Sequence, residues 1–153
     1  MIFCITGVDC SGKSTLINNL KSNLNNFIFW KREYSRDLQG KLEAGSDLRT
    51  QYLMNNNVIT ERIPYIEDIV YSKILENRDS IFDKNSILLK ELNDYIIIRL
   101  TADKNTLIKR LKARGDNYIN ESVLDLIQAN YDNILNRFDN VITINTSELD
   151  EIQ

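Results

Sequence analysis

Ile2-Phe3-Cys4-Ile5-Thr6-Gly7-Val8-Asp9-Cys10-Ser11-Gly12-Lys13-Ser14-Thr15 begins as an apolar run and breaks into a glycine-bearing loop. Residues 7–14 fit the P-loop pattern GxxxxGK[ST] without a gap. The glycines let the backbone bend so that several N–H groups point into one concavity, and a helix opening near Lys13 adds its positive end. Lys13 supplies a mobile charge for outer phosphates, and Ser14 offers a hydroxyl to magnesium with Thr15 behind it. Gly7, Val8, Asp9, Cys10, Ser11, Gly12, Lys13, Ser14 and Thr15 are thus the expected binding segment for ATP with Mg²⁺. Cys10 fills a free position of the motif as a small tolerated side chain, and Cys4 reads as a core residue of the first strand.

Outward from this loop, Leu16, Ile17, Leu20 and Leu24 recur at helical spacing, and Phe27–Trp30 is a second short apolar run. Residues 36–56 look irregular, interrupted by Gly40 and Gly45, with a helix expected near Asp47–Met54. Val58-Ile59-Thr60 reads as a buried strand, and Pro64 suits the first turn of a helix whose inward face is Ile66, Ile69, Val70 and Ile74. A weaker helix covers about 84–93, and Tyr95–Leu100 is a strand apolar enough to be covered on both faces. Asp103 is placed to cap a helix ended by Gly115, Glu121–Phe138 is strongly amphipathic, and Val141–Ile144 is a last strand. Strands alternating with helices predict an α/β fold: about five parallel strands sandwiched between helical layers, a single domain over residues 1–153.

Composition narrows the chemistry. There is no histidine, so catalysis would rest on carboxylates, cations and a bound metal ion. A net charge of −3 with basic residues scattered argues against a nucleic-acid polymer as partner. No apolar run is long enough for a membrane span, no secretory signal is seen, and two cysteines outside any CxxC pair suggest neither disulfides nor zinc. The cytoplasm is the expected location.

Glu61-Arg62 follows a strand, so both side chains should project from the carboxyl edge of the sheet, where ligands bind in parallel α/β folds. An acid and a base there could hold magnesium and steady phosphoryl charge; a surface ion pair is the plainer alternative. Lys109-Arg110-Leu111-Lys112-Ala113-Arg114-Gly115 places Arg110 and Arg114 four apart, on one face of a helix.

These residues together resemble the thymidylate kinase and deoxynucleoside kinase group of P-loop proteins. GVDCSGKST looks like the thymidylate kinase loop, whose Asp binds the sugar hydroxyl of the acceptor, a role the resemblance gives Asp9. Lys31-Arg32-Glu33 is similar to the Arg-Glu-Pro segment of those enzymes, with Tyr34 in place of proline, and Glu33 also matches the deoxynucleoside kinase base on the 5′-hydroxyl. Glu61-Arg62 resembles the Glu-Arg of deoxynucleoside kinases. The basic segment resembles the start of a short helical lid, about 109–120, that closes over ATP. The resemblance implies ATP- and Mg²⁺-dependent phosphoryl transfer to a deoxynucleoside monophosphate such as dTMP, or alternatively to a free nucleoside.

On that reading Lys13, Arg62, Arg110 and Arg114 neutralise transferring charge, and Ser14 and Glu61 serve the metal. Asp9, Arg32, Glu33, Arg49, Tyr65 and Tyr71 form the candidate acceptor grip, with Tyr71 either lining a cleft or lying on plain surface. The adenine is expected near Asn145–Glu148, and a homodimer is implied by the same analogy. A P-loop binding protein without kinase activity is the rival from another class. A regulatory GTPase is disfavoured because no NKxD segment is present.

Overall fold

The computed structural model describes residues 1–31, 35–82, 87–115 and 120–149. Five parallel strands form one sheet in the order β2-β3-β1-β4-β5, from Ile2–Thr6 (β1), Ile28–Lys31 (β2), Val58–Glu61 (β3), Ile96–Thr101 (β4) and Val141–Asn145 (β5). Helices α1 (Lys13–Asn23), α2 (Leu38–Leu53), α3 (Pro64–Glu76), α4 (Ile87–Glu91), α5 (Lys104–Arg114) and α6 (Glu121–Leu135) connect them. The expected three-layer P-loop sandwich is therefore what the chain forms.

Strand alternation explains the layers. In β1, Ile2 and Cys4 face one side and Ile5 the other, and all three are buried, as a central strand requires. The first side holds the larger core, where Ile66, Val70, Leu107, Leu124, Ile127 and Tyr131 from α3, α5 and α6 meet the sheet. The second holds Ile5, Ile17, Ile59 and Leu100 beneath α1. At the sheet edge this second side is thin: Ile142 and Ile144 of β5 remain 55% and 41% exposed.

Several boundaries differ from expectation, each for a local reason. Helix α2 begins at Leu38, nine residues before the expected start at Asp47, because Asp37 caps it through Gly40 N–H at 3.0 Å. Its glycines do not interrupt it; Gly45 lies where the helix passes close to Phe82 and Tyr65. Asp103 does occupy the N-cap position of α5, but its carboxylate makes no capping bond there. It accepts instead from Asn145, while its own N–H donates to Ser147 Oγ at 2.7 Å. Pro64 opens α3 as expected. The weak helix near 84–93 is a single turn, α4, followed by a 3₁₀ turn at Leu92–Asp94, and residues 83–86 lie outside the described segments.

Candidate active site

Register assembles the site. Ile5 pairs with Glu61, and Glu61 pairs with Lys31, so three adjacent strands end level at one edge of the sheet. The P-loop leaves β1 at that edge, directly beside Glu61 and Arg62. Gly7 adopts φ +141°, and a Cβ there would stand 2.1 Å from Leu100 O, so the loop passes β4 too closely for any side chain. Cys10 and Gly12 also take left-handed conformations, which turn successive N–H groups inward before α1 begins.

Lys13 is 5% exposed, and its ammonium donates to Gly7 O at 2.8 Å and Val8 O at 2.7 Å. Burial lowers its pKa to about 8, and the nearby Arg62 guanidinium adds to the shift against the pull of Asp9, Glu67 and Glu61. Ser14 Oγ lies 3.4 Å from Glu61 Oε1, and Lys31 Nζ lies 3.3 Å from Glu61 Oε2. Among the described residues no group of three or more His, Cys, Asp and Glu could hold a metal ion. A magnesium bound through phosphate oxygens and water needs only one or two protein oxygens, and the Ser14 hydroxyl with the Glu61 carboxylate is such a set.

Arg62 sits at φ +71°, with its N–H donated to Ile5 O and its carbonyl accepting from Thr60 Oγ1. Its guanidinium spans two carboxylates, Asp9 at 2.5 Å and Glu67 at 2.6 Å. Glu67 is itself buried in α3 and accepts from the Tyr131 hydroxyl at 2.7 Å. Tyr71 lies against this group, its ring centroid 5.9 Å from the Arg62 guanidinium carbon and edge-on to Tyr131.

From the opposite wall, α5 sends both arginines to the loop. Arg110 donates to Cys10 O at 3.0 Å, to Thr146 Oγ1 at 3.0 Å and to Thr146 O at 2.6 Å, and Arg114 reaches Cys10 Sγ at 3.0 Å. Thr146 Oγ1 donates onward to Ser11 O at 2.8 Å. Helix α5, the P-loop and the turn after β5 are thus tied at one point.

Lys13, Ser14, Glu61, Arg62, Tyr71 and Arg110 line one cavity of about 910 Å³, of which Tyr131 is not part. Ile144, Thr146 and Leu149 border it near the segment expected to hold adenine. Of the two readings left open for Tyr71, the cavity wall is the one observed.

Two residues expected in the acceptor grip are elsewhere. Tyr65 is fully buried, its hydroxyl 3.1 Å from that of Tyr95 and its ring edge-on to Phe82, because it occupies the inward side of α3's first turn. Arg49 pairs with Glu91 at 3.0 Å, tying α2 to α4 outside the cavity lining. Arg32, Glu33 and residues 116–119 of the expected lid lie outside the described segments; the described part of that lid is the end of α5, closed by Gly115 at φ +75°. Lys31 and Thr146 fall in segments expected at the site, 31–33 and 145–148, without a role of their own, and Glu67 was not expected there at all. The one available signal was Glu67 itself, an acid set between Ile66 and Ile69 on a face otherwise read as core.

A family model described as an AAA domain matches residues 3–131, most of the chain. The chain belongs to the AAA domain family. Among the solved structures similar to this AAA-family chain is the YorR protein of Bacillus subtilis in complex with phosphorylated GDP. It has 22% identity and a TM-score of 0.73, with 96% of this chain and 85% of that chain covered. Deoxyadenosine kinase from M. mycoides with bound dATP is similar at 21% identity and a TM-score of 0.68, covering 95% and 91%. The same enzyme with products dCMP and a flexible dCDP bound has 19% identity and a TM-score of 0.60, covering 94% and 89%. These likenesses establish a shared P-loop kinase fold. No curated protein matches the chain by sequence. Among the described residues no helix is long and apolar enough to cross a membrane.

Proposed function

We propose that the chain is a phosphotransferase that moves the γ-phosphoryl group of ATP onto a deoxynucleoside monophosphate, with dTMP the first acceptor to try. The observation that carries this reading is one cavity holding Lys13 and Ser14 of the P-loop together with Glu61, Arg62, Arg110 and Arg114. Phosphoryl transfer asks mainly for positioning and charge neutralisation, and this lining offers both. Ser14 and Glu61 would hold the magnesium ion, which supplies further charge neutralisation at the phosphates. Lys13 would exchange its two carbonyl partners for phosphate oxygens. Arg110 and Arg114 would border the phosphates from α5, and Asp9 and Arg62 would face the acceptor, with Tyr71 beside them. Arg32 and Glu33 would complete the acceptor grip.

A free deoxynucleoside acceptor is the second reading, favoured by the similarity to a deoxyadenosine kinase and by the Glu61-Arg62 order. On that reading Glu33 acts as base on the 5′-hydroxyl, which a monophosphate, already ionised, does not need. A homodimer belongs to the same proposal by analogy.

ADP release with ATP and Mg²⁺, measured across nucleosides and their monophosphates, tests both. Acceleration by a monophosphate supports the first reading, and acceleration by a free nucleoside the second. ATP binding with no acceleration by either class would leave a nucleotide-binding protein without kinase activity.

A further inference from the structure

The Arg62 guanidinium is divided between two carboxylates of different character. Asp9 rides on the P-loop at the cavity and is 29% exposed in its side chain. Glu67 is embedded in α3 with 4% of its side chain exposed. One oxygen of Glu67 takes the Arg62 Nη1 hydrogen at 2.6 Å and the other takes the hydroxyl of the fully buried Tyr131 at 2.7 Å. A carboxylate so deep is tolerable only when both oxygens are satisfied by strong donors. The main chain of Arg62 is pinned through its N–H and carbonyl, but this leaves its long side chain free to swing. Its direction is set by the side-chain partners; Glu67 and the Tyr71 ring both belong to α3, and of the two only Glu67 carries a charge to pair with the guanidinium.

We infer that Glu67 is the positioning residue for Arg62, holding the guanidinium in place through α3 and Tyr131 when Asp9 turns to the acceptor. This rests on the phosphotransferase reading of the same site. Acceptor binding at Asp9 would break one of the two ion pairs of Arg62. The Glu67 contact keeps the second, so one face of the guanidinium stays anchored while the other is released to incoming phosphate oxygens. Glu67 lines the cavity, but both its oxygens are taken by Arg62 and Tyr131, so it acts through Arg62.

The test is Glu67→Gln, which keeps the shape and removes the charge. The expected result is a kcat lower by about 100-fold with the KM for ATP unchanged, since misplacing one group by about an ångström has that scale of effect. Tyr131→Phe should shift kcat in the same direction by less, and it covers the case in which Glu67→Gln fails to fold. Adding Glu67→Gln to Arg62→Ala should cost nothing further. A readout independent of turnover is the Arg62 side-chain Nε–H resonance, assigned by its loss in Arg62→Ala. It should be sharp and restrained in the wild type and in Asp9→Asn, and motionally averaged in Glu67→Gln. Wild-type kcat in Glu67→Gln, or an unchanged Arg62 resonance, overturns the inference. Wild-type protein that phosphorylates no acceptor overturns the reading of the site instead, and the resonance then still decides whether Glu67 holds the guanidinium.

Discussion

Lys13 stores its proton at a discount. Its ammonium is nearly out of water and beside Arg62, so the folded protein releases that proton near pH 8, whereas an unfolded chain keeps it to about 10.5. From this group alone the unfolded state binds more protons between those values, and folding stability rises with pH across that window. Binding has the opposite sign. The phosphates of ATP restore the charged form, so above about pH 8 the complex holds a proton that the free protein has lost. Calorimetry of ATP binding in two buffers of different ionisation enthalpy should therefore show uptake of about one proton at about pH 9 and almost none at about pH 7. Equal heats in both buffers at the higher pH would mean that Lys13 keeps its charge in the cavity.

Helix α2 shows at the level of an element what sequence reading resolves and what it does not. The P-loop, β1, α3 and β4 were legible because their signals are local: fixed glycines, apolar runs, a proline at a first turn. Helix α2 was not, because Gly40 and Gly45 carry breaker propensity while the compensating contacts come from elsewhere in the chain. At Gly45 a methyl group would stand 3.5 Å from Phe82 and 3.6 Å from Tyr65, ordinary contact, in a helical conformation. Gly45→Ala should therefore raise stability, by about 0.5–1 kcal/mol on helix propensity. Urea unfolding measures this directly, and a loss of stability would show that Phe82 and Tyr65 have no room to give. Tyr65 and Arg49 were misplaced for a related reason. Both are polar-tipped residues on helices near the site, and only the partner side chains, Tyr95 and Glu91, reveal that they point away from it.

Over the whole molecule, the parallel sheet was implicit in the alternation of elements, but the strand order and the polar cores were not. Lys41 of α2 and Asp68 of α3, both buried, meet at 3.1 Å. Glu76 joins Lys41 at 2.9 Å, and Arg78, Ser80 and the Ile81 N–H converge on Asp68. Burial alone would raise the Asp68 pKa, but the bonds from Ser80, Arg78, Ile81 and Lys41 prevail and hold it below the usual value. Such long-range pairing has no periodic signature. Lys41→Met removes one cation from the group and should cost about 3 kcal/mol of unfolding free energy, within the range for breaking a buried ion pair. An unchanged urea midpoint would mean that Arg78 alone can balance both acids.

Arg110 holds Cys10 through its backbone carbonyl, and Thr146 through both carbonyl and hydroxyl, which bears on how the protein can drift over evolutionary time. A carbonyl is present whatever side chain the codon specifies. Position 10 can thus exchange its thiol for glycine or asparagine, residues at ease with φ +63°, without loosening the brace. Position 110 has no such latitude, since a lysine cannot reproduce a planar fork that bonds across two segments at once. The lineage can spend its mutations on one side of this junction and not on the other.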